Sequence, residues 1–132
     1  MTWTVFKKEI LKLSHQINFE PDILIGITRG GLVPTRLLSS TLKVKDVYCL
    51  TVNKIGQKRK IQTEIKINFN NKKVLLIEDI LETGKSLIDA KKYLETKGAN
   101  VKTACLYLMP ESEIKPDFYL KTINKLVTFP WE

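Results

Sequence analysis

The chain has 132 residues, 43% of them hydrophobic and 27% charged, which suits one folded core and excludes both a disordered tail and a two-core protein. No apolar run approaches the roughly 18–20 residues of a membrane span, and Met1-Thr2-Trp3-Thr4-Val5-Phe6-Lys7 lacks the apolar core of a secretory leader, so a cytoplasmic protein with no membrane partner is expected. The net charge of +8 favours an anionic partner, while a single histidine, His15, excludes a His-rich metal site.

Val5, Phe6, Ile10, Leu11, Leu13 and Ile17 recur at helical spacing, with Thr2 or Thr4 as N-cap, His15 on the surface and Pro21-Asp22 as the break. Ile23-Leu24-Ile25-Gly26-Ile27 is nearly all apolar, as a strand buried on both faces requires. Arg29-Gly30-Gly31 predicts a tight turn, and residues 32–42 a helix that tolerates Pro34 in its first turn. A second strand is predicted over residues 47–52, then an exposed polar loop over 53–60 around Gly56. Ile61, Ile65, Ile67 and Phe69 point to a weak returning strand. Val74-Leu75-Leu76-Ile77 is the best buried strand, followed by a turn over 78–85 and a helix over 86–97 closed by Gly98. Strands are also expected over 101–108 and, more briefly, 126–129. Cys49 and Cys105 lie in apolar stretches and read as reduced core thiols. Apolar strands alternating with amphipathic helices give an α/β fold, a parallel sheet between two helical layers.

Ligands of such sheets bind beyond the carboxyl ends of the strands. Three loops leave those ends here: residues 28–31, the basic stretch after Val52, and residues 78–86. Residues 53–73 hold seven basic side chains against Glu64 alone, so most of the net charge is local. It serves either an anionic ligand or a solvated hairpin with lysines outside. Glu78 and Asp79 are adjacent carboxylates at the end of an apolar strand, where like charges are costly unless a cation or hydrogen-bond donors meet them. A sugar diol with bound Mg²⁺ would do so. Thr83-Gly84-Lys85-Ser86 then enters a helix N-terminus, whose free N–H groups, hydroxyls and dipole make a phosphate cradle. A diol reader followed by a phosphate cradle suits a ribose 5-phosphate. Gly84-Lys85-Ser86 also ends a P-loop pattern, but that pattern needs a glycine where Asp79 stands.

Val74-Leu75-Leu76-Ile77-Glu78-Asp79-Ile80-Leu81-Glu82-Thr83-Gly84-Lys85-Ser86 resembles the phosphoribosyl-pyrophosphate signature of type I phosphoribosyltransferases. Thr28-Arg29-Gly30-Gly31-Leu32 resembles that family's pyrophosphate loop. Lys115-Pro116-Asp117-Phe118-Tyr119 and Phe129-Pro130-Trp131-Glu132 are similar to the closing segment of the short hypoxanthine and xanthine–guanine enzymes. The resemblance implies one domain over residues 1–132, with an N-terminal helix in 1–20, a mobile flap over 53–62 and a small hood over 109–132. It implies a Mg²⁺-dependent enzyme of purine salvage, acting on phosphoribosyl pyrophosphate and a nucleobase, as a homodimer or homotetramer.

The same resemblance distributes roles. Glu78 and Asp79 would hold the ribose hydroxyls and Mg²⁺. Thr83, Gly84, Lys85 and Ser86 would hold the 5-phosphate, Lys85 mainly by its backbone. Arg29, Gly30 and Gly31 would hold the pyrophosphate, in a loop where family members often carry a non-proline cis peptide. Lys54, Lys58, Arg59 or Lys60 of the flap would neutralise the departing anion. Glu82 would be the catalytic acid/base near N7 of a purine. Ile80 and Leu126 would pack on the faces of the base, and the Val127 backbone would meet its edge. Two positions depart from the pattern. Met109 stands where the 6-oxopurine enzymes place a lysine that reads O6, and a thioether donates no hydrogen bond. Val52 stands where family flaps carry a tyrosine. They motivate an alternative, a non-catalytic phosphoribosyl-pyrophosphate sensor. A basic nucleic-acid-binding domain is a remoter one, because residues 53–73 contain only one aromatic, Phe69.

Overall fold

The computed structural model describes residues 1–132. Its elements run α1 (Trp3–Gln16), β1 (Ile23–Ile27), α2 (Leu32–Leu42), β2 (Val47–Leu50), β3 (Val52–Ile55), β4 (Lys58–Ile61), β5 (Lys73–Leu81), α3 (Lys85–Thr96), β6 (Asn100–Leu108) and β7 (Lys121–Thr122). Five strands form a parallel sheet in the order β2-β1-β5-β6-β7, and β3 and β4 form a separate antiparallel hairpin. The expected α/β class and parallel sheet are present.

The apolar runs have no polar face because the sheet is covered on both sides. Alternate residues serve the two layers. Ile23, Ile25, Ile27, Val74 and Leu76 pack with Leu87, Ala90 and Leu94 of α3. Leu24, Leu75 and Ile77 pack with Phe6, Ile10 and Leu13 of α1 and Leu38 of α2. Each such fully buried Leu or Ile contributes about 1.5–3 kcal/mol of transfer free energy. Thr2 caps α1 as expected, its hydroxyl accepting the Val5 N–H at 3.2 Å. The C-terminal segment packs on α1: Phe129 stacks on Trp131 at 4.6 Å, and Trp131 meets Phe6 edge-on at 4.9 Å. His15 is exposed. No helix is long and apolar enough to cross a membrane.

Several expectations need correction. Val5 and Leu11 of the helical pattern are exposed, since Phe6, Ile10 and Leu13 already fill the α1 seam. The strand expected over 47–52 breaks at Thr51, where the chain leaves the sheet. The stretch expected to be an exposed loop is the β3–β4 hairpin. Its turn places Gly56 first, at φ +61°, between the paired Ile55 and Lys58, the residue order of a two-residue hairpin turn. Of the weak strand expected through Ile61, Ile65, Ile67 and Phe69, only Ile61 is in a strand, as the end of β4; Ile65 and Phe69 are instead buried anchors of an irregular segment. β5 does not stop at Ile77, because Glu78, Ile80 and Leu81 still pair with Cys105, Tyr107 and Leu108 of β6. α3 starts one residue earlier than expected, at Lys85. Residues 126–129 form no strand; β7 lies at Lys121–Thr122. Cys105 is buried, but Cys49 is exposed because β2 is the sheet edge.

Candidate active site

The register decides what meets at the end of the sheet. Gly26 pairs with Ile77, so β1 runs out as β5 continues into Glu78 and Asp79. The 28–31 loop therefore folds beside the two acids. A Cβ on Gly30 would overlap the Asp79 carboxylate, so only glycine allows this approach. The Thr28–Arg29 peptide is cis. Arg29 is exposed, Gly30 half-buried, and the Gly31 N–H donates to the Ile27 carbonyl at 2.8 Å as the chain enters α2.

Both acids are half-buried and neither has an ion-pair partner; the chain's two side-chain ion pairs are Lys12–Glu9 and Lys85–Glu113. Burial, then the neighbouring Asp79 and Glu82 charges, push the Glu78 carboxyl up to about 8. Burial also raises Asp79, outweighing the Ile80 N–H that donates to its Oδ1 at 2.6 Å; Glu132 and Glu82 add to the rise. In the free protein both carboxyls are thus pushed towards their protonated forms, and no side-chain cation pairs with either. Cys105, cross-strand from Glu78, is raised further, chiefly by burial, and is inert as a thiol.

Beyond Leu81 the chain turns through Glu82, Thr83 and Gly84 into α3. Gly84 takes φ +78°, and a Cβ there would lie 2.5 Å from Ile114 Cγ2 and 2.8 Å from Ser112 Oγ. α3 has no strong side-chain cap, so its first-turn N–H groups remain for an anion. Lys85 directs its ammonium to Glu113 at 3.8 Å, leaving its backbone to the cradle. Thr83 and Lys85 are exposed and Ser86 half-buried. Glu82 is exposed on the same turn.

The hairpin projects from the β2 end beside this crevice. Cross-strand partners are Val52–Ile61, Asn53–Lys60, Lys54–Arg59 and Ile55–Lys58. Because side chains alternate, Val52, Lys54, Arg59 and Ile61 share one face. Val52 and Ile61 pack against the α3-side core, so this is the inner face. Lys58 and Arg59, with Gln57, line a cavity of about 370 Å³ against Lys85, Ile88 and Asp89 of α3. Lys54 and Lys60 are exposed.

The expected base-binding residues are divided. Ile80 and Val127 are half-buried against one cluster on the α1 side, whereas Leu126 is exposed and outside it. Met109 is half-buried and donates its N–H to the Leu81 carbonyl at 2.9 Å, which ties it to the end of β5. Sequence reasoning passed over a further group. Thr28 and Thr51 share a hydroxyl–hydroxyl hydrogen bond of 2.9 Å, and no local spacing signals a pair 23 residues apart.

Known proteins resemble this chain in sequence and fold. A model of the phosphoribosyl transferase domain matches residues 3–132. The xanthine-guanine phosphoribosyltransferase of Chromohalobacter salexigens is 25% identical over 138 residues, covering 100% of this chain and 82% of that protein. The hypoxanthine-guanine phosphoribosyltransferase of Lactococcus lactis is 34% identical over 119 residues, covering 80% of this chain and 63% of that one. The crystal structure of a purine phosphoribosyltransferase from Pyrococcus horikoshii superposes with a TM-score of 0.91 at 32% identity, covering 100% of this chain and 91% of the other. With the domain model matched over residues 3–132 and the whole chain superposing on a purine phosphoribosyltransferase, this protein belongs to the type I phosphoribosyltransferase family, as a relative of the hypoxanthine and xanthine–guanine enzymes.

Proposed function

We propose that the protein is a Mg²⁺-dependent purine phosphoribosyltransferase, joining a purine nitrogen to C1 of the ribose of phosphoribosyl pyrophosphate and releasing pyrophosphate. The observation that carries this is the pair of uncompensated acids, Glu78 and Asp79, set between the 28–31 loop and the open N-terminus of α3. A purine is favoured because the relatives and the solved structure named above are purine enzymes.

The residues fit Mg²⁺. No three His, Cys, Asp or Glu side chains form a metal cluster. That suits an ion held by one or two carboxylates and by substrate oxygens rather than by a protein cage. Glu78 and Asp79 would hold it, and when bound it supplies positive charge opposite the departing pyrophosphate. The same carboxylates orient the ribose hydroxyls. The α3 N-terminus, with Thr83, Gly84, Lys85 and Ser86, holds the 5-phosphate. Arg29, Gly30 and Gly31 hold the pyrophosphate. As the C1–O bond breaks, the sugar gains oxocarbenium character, and water must be excluded. The hairpin is the lid, and Lys54 and Arg59 meet the leaving group; that they are cross-strand partners on one face supports this reading. Glu82 takes or shares the purine proton. Ile80 and Val127 line the base site. The assembly is a homodimer or homotetramer, with exposed Val5, Leu11 and Leu32 as apolar contact area.

The test is to follow pyrophosphate with Mg²⁺, phosphoribosyl pyrophosphate and each nucleobase in turn. Turnover with at least one purine is expected. Silence with every base despite Mg²⁺-dependent ligand binding would favour the second reading, a phosphoribosyl-pyrophosphate sensor, which Met109 supports. Met109→Lys separates the two further. It should raise kcat/KM for hypoxanthine or guanine about tenfold, the order of one restored base hydrogen bond to a charged donor.

A further inference from the structure

The flap is attached through one residue whose every polar group is spoken for. Thr51 is the single residue between β2 and β3. Its N–H donates to Thr63 Oγ1 at 3.0 Å, and its carbonyl accepts the Gln62 N–H at 2.8 Å. These two bonds tie the outgoing and returning ends of the hairpin together. Its hydroxyl is left for a third partner, Thr28, at 2.9 Å. Thr28 is in turn fixed to the sheet, because its N–H donates to the Leu50 carbonyl at 3.0 Å. It also opens the loop that carries Arg29, Gly30 and Gly31.

We propose that Thr51 is a positioning residue: its hydroxyl bond to Thr28 couples the flap to the 28–31 loop, so that the two move as one unit. The inference rests on the reading of the hairpin as a lid and of the loop as the pyrophosphate site. It goes beyond that reading in naming how one reports to the other. The flap's inner face has only Val52 and Ile61 in apolar contact, and residues 53–58 are exposed. Such a segment sits at the low-stability end of the molecule. Its orientation is then set at its base, where the three hydrogen bonds of Thr51 converge. A ligand that orders the 28–31 loop would pull on Thr28 and, through it, on the hinge. Valine at position 51 preserves the shape and the two backbone bonds but removes the link. Serine preserves the link.

The experiment reads amide hydrogen exchange over residues 52–61 and 29–31 in the ligand-free protein. The variants are Thr51→Val, Thr51→Ser, Thr28→Val and the Thr28→Val/Thr51→Val double. The loss of one partly exposed hydrogen bond should accelerate exchange in both segments roughly three- to tenfold in Thr51→Val. Thr28→Val should do the same, the double variant should be no faster than either single one, and Thr51→Ser should stay near the parent. Additive effects of the two valines, or acceleration confined to one segment, would overturn the coupling. A merely structural threonine would show the same loss with either substitution partner and no saturation in the double variant. Adding Mg²⁺ and phosphoribosyl pyrophosphate to the parent protein tests the underlying reading separately. If exchange in both segments is unmoved by them, the lid assignment fails, while the ligand-free cycle still decides the coupling.

Discussion

The acidic end of β5 and the basic β3–β4 hairpin both crowd like charges, but in opposite settings. Glu78 and Asp79 sit on a nine-residue strand of the central sheet, half-buried and without a cation. Lys54 and Arg59 face each other directly across the hairpin, outside the central sheet, with Lys54 exposed. Like charges directly opposite in a ladder destabilise it. In the crevice, burial strengthens the repulsion and pushes Glu78 towards its protonated form. On the hairpin, solvent and salt screen it. On the proposed reading, the crevice would carry the charge that selects a ligand, and the hairpin the charge that closes on it. The proposed substrate, with a diol, a cation and a pyrophosphate, would relieve both at once, which neither region does for the other in the free protein.

The sharpest way to break this contrast is at the fixed end. Gly30→Ala puts a methyl group on the Asp79 carboxylate. With loop and acids forced apart by about 1 Å, kcat/KM should fall on the order of 100-fold. Pyrophosphate release measures this, and circular dichroism should report an intact fold. Full activity would mean that the loop and the acids do not act on one ligand.

The movable end should respond less. Lys54→Ala and Arg59→Ala each should lower kcat about tenfold, less than the roughly 100- to 1,000-fold of a buried anion-stabilising donor, because the arm is screened. Lys60→Ala, on the outer face, should leave kcat within about twofold, since surface substitutions away from a site change little. Each inner-face variant also removes a like-charge neighbour, so thermal stability should hold or rise while activity falls. If Lys60→Ala is the more damaging variant, the face assignment is wrong.

The two regions also differ in how far the sequence revealed them. The crevice was legible because its determinants are local. Four apolar residues, two acids and a Thr-Gly-Lys-Ser entry to a helix each carry a physical reading within a few positions. The hairpin was legible only as charge. Lysine, asparagine and glycine have low strand propensity, so residues 53–60 read as a loop, although Gly56-Gln57 between paired flanks is a turn signal. The extension of β5 through its acids was hidden because it depends on pairing with β6, which no local pattern encodes. Cys49 shows the same limit. Its apolar neighbours suggest a core thiol, but the position of β2 at the sheet edge is a property of strand order. The Thr28–Thr51 bond needs both the β1–β2 register and the break at Thr51 before it can be seen at all.

The smallest effect tests the premise that the crevice acids are uncompensated in the free protein. In the unfolded chain Glu78 ionises near its ordinary 4.5; folded, it does so near 8. Between those values the folded protein retains a proton that the unfolded chain has released. The Glu78 contribution to stability is therefore fully present below pH 4.5 and is lost as pH rises towards and through 8. Asp79, raised as well, acts in the same direction at lower pH. Partial solvent access reduces the Glu78 contribution to about 1 kcal/mol, or roughly 3–4 °C in Tm for a domain of this size. Glu78→Gln removes the titration, so its Tm should gain on the parent's by that amount between pH 5 and pH 8. Mg²⁺ with phosphoribosyl pyrophosphate should reverse the trend in the parent, because a carboxylate must lose its proton to meet the cation. The ligand-induced rise in Tm should then be larger at pH 8 than at pH 6. Parallel melting curves for parent and Glu78→Gln across this range would mean that the acids are already satisfied without ligand. The fixed and movable ends would then no longer be two halves of one charge imbalance.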